Sequence, residues 1–148
     1  MNGYEELCKY CNLLYQKGLA PGCSGNASIR KESHIAITAS GVSMNDVSFK
    51  NLVDIDFNGQ VIGTGKASSE SFMHCLIYKN RNDINAIIHT HSPFLSTLAL
   101  NGLSLEKSSI VELEYLFKGK VPLVKYHPPG SKELAVETAE ILKEYNAS

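Results

Sequence analysis

The run Ile84-Asn85-Ala86-Ile87-Ile88, closed by His89-Thr90-His91, constrains the fold of this chain more than any other stretch. It is apolar, rich in β-branched residues and too short for a typical helix, so it reads as a buried β-strand over residues 85–89. Side chains two apart on a strand point to the same face. His89 and His91 therefore aim into one small volume at the strand's end. Two neutral imidazoles in that position can chelate a divalent metal. The competing reading is a strand end with two histidines held by ordinary hydrogen bonds.

The segments around this strand suggest a layered domain. Residues 4–17 read as a helix, with Leu7, Cys11 and Leu14 on one stripe and Gly18 as its stop. A loop over residues 19–26 follows, then two short strands at 27–30 and 34–38 around Lys31-Glu32-Ser33. Strands at 52–56 and 60–62 flank Asn58-Gly59, the dipeptide that most strongly signals a two-residue hairpin turn. A second helix is expected at 69–80 with Ser68 as N-cap. A third starts at Pro93 behind Ser92 and ends at Gly102. Residues 108–117 fit helix or strand, 121–126 read as a strand, and Ser131 caps a last helix running to about Tyr145. Early hairpins followed by alternating strands and helices predict a single α/β domain over residues 1–148 with a mixed, mainly antiparallel sheet.

Composition narrows the function. A length of 148 residues supports one domain with a real core. The net charge of −1 leaves no electrostatic footprint for nucleic acid or an anionic membrane surface. No apolar stretch approaches the ~20 residues of a membrane span. The N-terminal residues lack the pattern of a signal peptide, so a cytoplasmic location is expected. Cys8 and Cys11 form a lone CxxC inside a helix, and Cys23 and Cys75 are scattered. A zinc site of four thiolates needs two close pairs, so reduced thiols are expected. Neither GxGxxG nor GxxxxGK[ST] occurs, which removes the main support for nucleotide folds of those two kinds.

Three small polar turns stand out: Gly25-Asn26, Ser40-Gly41 and Ser68-Ser69. Backbone N–H groups, hydroxyls and an amide at such turns can cradle a phosphate or carboxylate, and Ser68 and Ser69 adjoin the positive end of a helix. Each is equally an ordinary turn or cap. Glu70 is either a dipole-complementing surface carboxylate or a metal ligand or general base. His74 lies one turn further on the same helix face, either as a partner for Glu70 or as a hydrogen-bonded core histidine. His34 and His127 show no partner at useful spacing.

In combination these pieces are specific. Ser24-Gly25-Asn26-Ala27-Ser28, Ile37-Thr38-Ala39-Ser40-Gly41, Ala67-Ser68-Ser69-Glu70 ahead of a helix, and Asn85 to Ser92 occur in this order, with Tyr126-His127-Pro128-Pro129-Gly130-Ser131 before the last helix. The chain resembles the class II aldolase/adducin family over nearly its whole length, most of all the L-fuculose-1-phosphate type. The resemblance implies a three-layer α/β/α fold and a homotetramer with sites at subunit interfaces. It implies zinc, or another divalent metal, on His89 and His91. Glu70 would be the catalytic acid/base and a further metal ligand. Asn26, Ser40, Gly41, Ser68 and Ser69 would hold the substrate phosphate. The implied reaction cleaves a ketose 1-phosphate to dihydroxyacetone phosphate and lactaldehyde. A related sugar-phosphate dehydratase or epimerase, or a non-catalytic adducin-head assembly domain, is the alternative.

Two departures accompany the resemblance. The family's third zinc-binding histidine follows the last helix, whereas the sequence given ends at Ser148. A domain lacking the family's C-terminal strand and helix is therefore expected. The family's catalytic tyrosine aligns near Val111, with Tyr115 as the nearby candidate.

Overall fold

A computed structural model describes residues 2–106, 111–117 and 119–146. The first helix, α1 (Gly3–Gln16), opens with a capping box: the Asn2 side chain accepts from the first turn and the Glu5 side chain accepts from the Asn2 backbone. Strands β1 (Asn26–Arg30), β2 (Ile35–Thr38), β3 (Leu52–Ile55) and β4 (Val61–Ile62) follow, then helix α2 (Ser71–Asn80) and strand β5 (Ala86–His89). The remaining elements are α3 (Pro93–Leu100), β6 (Leu105–Glu106), α4 (Val111–Phe117), β7 (Lys120–Val121) and α5 (Lys132–Ile141). The main sheet has the order β4-β3-β2-β1-β5, and all its pairings are antiparallel. The Asn58-Gly59 hairpin forms as expected: Asp56 Oδ1 accepts from the Asn58 and Gln60 amides, and Gly59 takes φ +87°.

Alternation along the strands builds three layers. Ala27 packs with Leu7, Cys11, Ala20 and Met44 under α1. On the opposite face Ile35, Ile37, Val53 and Ile55 pack against Cys75 and Tyr78 of α2. Helix α5 closes that layer by setting Ala135 and Ala139 against Met73 and Ile77. Two arginines tie the ends down. Arg30 reaches the carbonyls of Ile84 and Arg81, with its guanidinium 4.7 Å from the Tyr78 ring. Arg81 donates to the Leu142 carbonyl at the end of α5. Among the described residues no helix is long and apolar enough to cross a membrane.

Three expectations change and one open reading is resolved. The strand that ends at His89 is not buried: among the described residues β5 is an edge strand paired only with β1, and Ile88 is half exposed. Its apolar run matches one covered face and one open face. Helix α2 begins at Ser71 with Glu70 as its N-cap residue, because Ser68 and Glu70 form a preceding turn in which Ser68 O accepts from Ser71 N. Residues 121–126 contribute only Val121 to a strand, since Pro122 has no N–H to extend the ladder. The ambiguous stretch is helical over Val111–Phe117, and residues 108–110 fall outside the described set.

His74 sits fully inside the layer between the sheet and α2. Burial pushes its pKa down to about 3, so it stays neutral in the fold. In the unfolded chain it binds a proton near pH 6.5. The unfolded state therefore holds more protons between about pH 3 and 6.5, and stability falls as pH drops through that window. From pH 7 to pH 5 this one group removes about 2 kcal/mol. Urea unfolding of the wild type and of H74Q at both pH values checks this. The wild type should lose about that much more than the variant; equal losses would contradict it.

Candidate active site at the sheet edge

Asn26 of β1 lies directly across from His89 of β5 in the antiparallel register. That register carries the His89 ring to the end of the sheet, where the chain turns and the His91 amide donates to Leu19 O at 2.8 Å. The rings of His89 and His91 stack with centroids 5.0 Å apart and planes 28° from parallel. Both reach one cavity of about 330 Å³, as the two-residue spacing predicts. Burial, and then the neighbouring His91, push the His89 pKa down to about 4. Its imidazole is therefore neutral at physiological pH, with a lone pair available as a ligand.

The opposite wall comes from turns far apart in sequence. An antiparallel bridge between Ala39 and Ala67 brings Ser40-Gly41 beside Ser68-Ser69. Ser40 N donates to Lys66 O at 2.8 Å, and Ser68 N donates to Thr38 O at 3.2 Å. All four residues line the cavity, together with Ser24, Gly25 and Glu70. Glu70 is buried, and its Oε1 accepts from Gly130 N at 2.8 Å. One carboxylate oxygen is thus held by a backbone amide.

The structure therefore assembles His89, His91, Glu70, Asn26, Ser40, Gly41, Ser68 and Ser69 around one space. Asn26 plays a part the sequence did not suggest. Its buried amide bridges two imidazoles, His74 Nε2 at 2.7 Å and His89 Nδ1 at 3.2 Å. His74 does not join Glu70; it faces Asn26 and Ser28 in the core. His34 and His127 find partners distant in sequence, Asp54 at 3.5 Å and Glu137 at 2.6 Å, and neither lines the cavity. Tyr115 is exposed on α4 and does not line it either.

Two glycines make close approaches that their turns alone do not indicate. Gly25 has φ +78°, and a Cβ there would stand 2.7 Å from the His89 carbonyl oxygen. Gly130 has φ +73°, and its Cβ would meet Ser69 O at 3.3 Å. Both were visible only as turn formers, because the backbone each approaches is remote in sequence. The Glu137 carboxylate also shapes the Gly130 loop, since its two oxygens engage Lys125 N and His127 Nε2.

The donor set suits a borderline cation. The two imidazole rings lie side by side, and Asn26 occupies Nδ1 of His89, leaving Nε2 as the outward atom. Among the described residues no group of three or more His, Cys, Asp or Glu side chains is placed to hold a metal ion. Glu70 shares the cavity, with its carboxylate on the Gly130 amide.

Sequence and fold comparisons identify the family. The profile of the Class II Aldolase and Adducin N-terminal domain matches residues 5–148. The chain belongs to that family. The L-fuculose phosphate aldolase of Methanococcus maripaludis is 37% identical over 139 residues, covering 94% of this chain and 76% of the relative. The 3-oxo-tetronate 4-phosphate decarboxylase of Cupriavidus necator is 30% identical over 140 residues, covering 93% of this chain and 64% of the relative. Among solved structures, an L-fuculose 1-phosphate aldolase superposes with a TM-score of 0.87 at 32% identity. That match covers 96% of this chain and 68% of the other. The antiparallel sheet with helices on both faces is the class II aldolase fold.

The close approach at Gly25 has a measurable consequence. G25A combines an unfavourable positive φ, costing roughly 1–2 kcal/mol, with a contact no backbone tolerates. It should lose at least about 1 kcal/mol in urea unfolding and shift the His89 ring resonances. Wild-type stability with unmoved His89 signals would contradict this account of the loop.

Proposed function

We propose that the chain is a metal-dependent class II aldolase that cleaves a ketose 1-phosphate of the L-fuculose type into dihydroxyacetone phosphate and lactaldehyde. The observation that carries the reading is the cavity itself: a stacked imidazole pair, a buried carboxylate and two hydroxyl-bearing turns around one space. Kinship with named fuculose phosphate aldolases supports the substrate class.

The residues divide the task by chemistry. His89 and His91 hold a divalent cation, with zinc the best match to imidazole nitrogen. When bound, that cation supplies positive charge opposite the oxygens where negative charge develops as the carbon–carbon bond breaks. Ser40, Gly41, Ser68 and Ser69 receive the phosphate through hydroxyls and backbone amides, and Asn26 lines the same cavity. Fixing this unreacting group positions the carbons that do react. In cleavage, the electron pair of the C3–C4 bond remains on C3, the C4 hydroxyl gives its proton to water, and Glu70 delivers a proton to C3 and regains one from water. Condensation reverses the transfer. With Oε1 on the Gly130 amide, Oε2 is the oxygen left to carry that proton.

A decarboxylase reading also has support, from the kinship with a 3-oxo-tetronate 4-phosphate decarboxylase. Loss of carbon dioxide next to a carbonyl leaves the same kind of electron pair on carbon, so the same cation and acid would serve. A homo-oligomer is part of the proposal, since Phe94 and Leu100 of α3 present wide apolar surface. The protein functions in the cytoplasm on this reading.

The test is E70Q, which keeps the size of the side chain and removes its titratable oxygen. Retro-aldol turnover of fuculose 1-phosphate, read by reduction of released dihydroxyacetone phosphate, should fall by about 10²–10⁴ in kcat with bound metal retained. Unchanged kcat in E70Q would refute the acid role. Turnover of a 3-oxo-tetronate 4-phosphate without any retro-aldol activity would favour the decarboxylase.

A further inference from the structure

His74 is a buried histidine that the proposed chemistry does not use, yet it is one link from the metal-binding pair. Its Nε2 meets Asn26 Oδ1 at 2.7 Å and its Nδ1 meets Ser28 Oγ at 2.7 Å. Ser28 Oγ lies 2.9 Å from Tyr78 Oη, which donates to Ser28 O at 3.0 Å. At the other end the Asn26 amide nitrogen lies 3.2 Å from His89 Nδ1. The chain of contacts runs from Tyr78 in the core to His89 at the cavity. No buried side-chain polar atom among the described residues lacks a partner.

A neutral imidazole has one donor and one acceptor nitrogen, and an amide has one end of each kind. This network is therefore satisfied in two directions. In the first, the Asn26 carbonyl accepts from His74 Nε2–H, Ser28 donates to His74 Nδ1, and Asn26 Nδ2 donates to His89 Nδ1. The proton of His89 then sits on its outward Nε2. In the second, the Asn26 amide is turned over. It accepts from His89 Nδ1–H and donates to His74 Nε2, His74 Nδ1–H donates to Ser28 Oγ, and the Ser28 hydroxyl turns toward Tyr78 Oη. No net charge changes, and no buried group loses its partner.

A cation on the outward nitrogen needs the lone pair of His89 Nε2, so the proton must be on Nδ1 facing an acceptor. Only the second direction provides that. We propose that Asn26 and His74 form a two-state hydrogen-bond relay that sets the tautomer of His89. Metal loading turns the Asn26 amide and moves the His74 proton from Nε2 to Nδ1. His74 is thus a positioning residue, acting on the cation through Asn26. The inference rests on the metal reading above.

The experiment uses the full chain with 15N-labelled histidine. Two-bond proton–nitrogen correlations are recorded at neutral pH, metal-free and after one equivalent of Zn2+, with uptake followed independently by calorimetry. The expected result is Nε2–H at both His74 and His89 without metal, and Nδ1–H at both with it. Zinc uptake at His89 with His74 left in its first tautomer overturns the relay and spares the metal reading. Nδ1–H at His89 in the metal-free protein also overturns the relay. Absence of uptake overturns the metal reading and the relay with it. N26D gives a second readout, because a carboxylate only accepts and so holds His89 in the metal-ready tautomer. It should bind Zn2+ at least about tenfold more tightly than the wild type; equal or weaker binding counts against the relay.

Discussion

The cross-strand pair of Asn26 on β1 and His89 on β5 is the contact on which the site depends. It is a ladder position and a side-chain contact at once. The ladder places His89 at the end of the sheet, and the Asn26 amide fixes which ring nitrogen faces the core. Gly25 must lie against the His89 carbonyl for the loop to enter β1 at this height. The sheet edge is thus a backbone device for aiming two imidazoles. Everything opposite them, from the Ser40-Gly41 turn to Glu70, is brought there by the Ala39–Ala67 bridge and the Gly130 amide.

The two sides of the cavity are built differently because their chemistry differs. Neutral nitrogen donors must be desolvated enough to stay unprotonated, and partial burial of His89 does that. On the proposed reading the serine turns would take a phosphate, which carries its own charge and water, through hydroxyls and backbone amides. Glu70 lies between these demands. It is buried, and a backbone amide rather than a cation holds one of its oxygens.

Much of this was legible in the residues. The Asn58-Gly59 hairpin, the Ser131 cap of the last helix and the convergence of His89 with His91 follow from local rules of turn, cap and strand geometry, and the structure bears them out. Reading β5 as buried failed because an apolar run reports that a strand contacts a core without saying on how many faces. Placing α2 at 69 failed by two residues because Ser68 and Ser71 close a turn before the helix begins. His74 is the hydrogen-bonded core histidine that was one of its two readings, but its partners and those of Gly25 and Gly130 were not legible for one common reason. Each depends on a neighbour more than 45 positions away, and no local periodicity encodes that.

The central claim is that His89 and His91 together hold a divalent cation facing Glu70. Calorimetric titration of metal-free protein with Zn2+ tests it directly, run on the wild type, H89A and H91A, with folding verified by circular dichroism. The account predicts one tight equivalent in the wild type and at least a hundredfold weaker binding in each folded variant, since either leaves a single imidazole. Undiminished binding in both folded variants would contradict it.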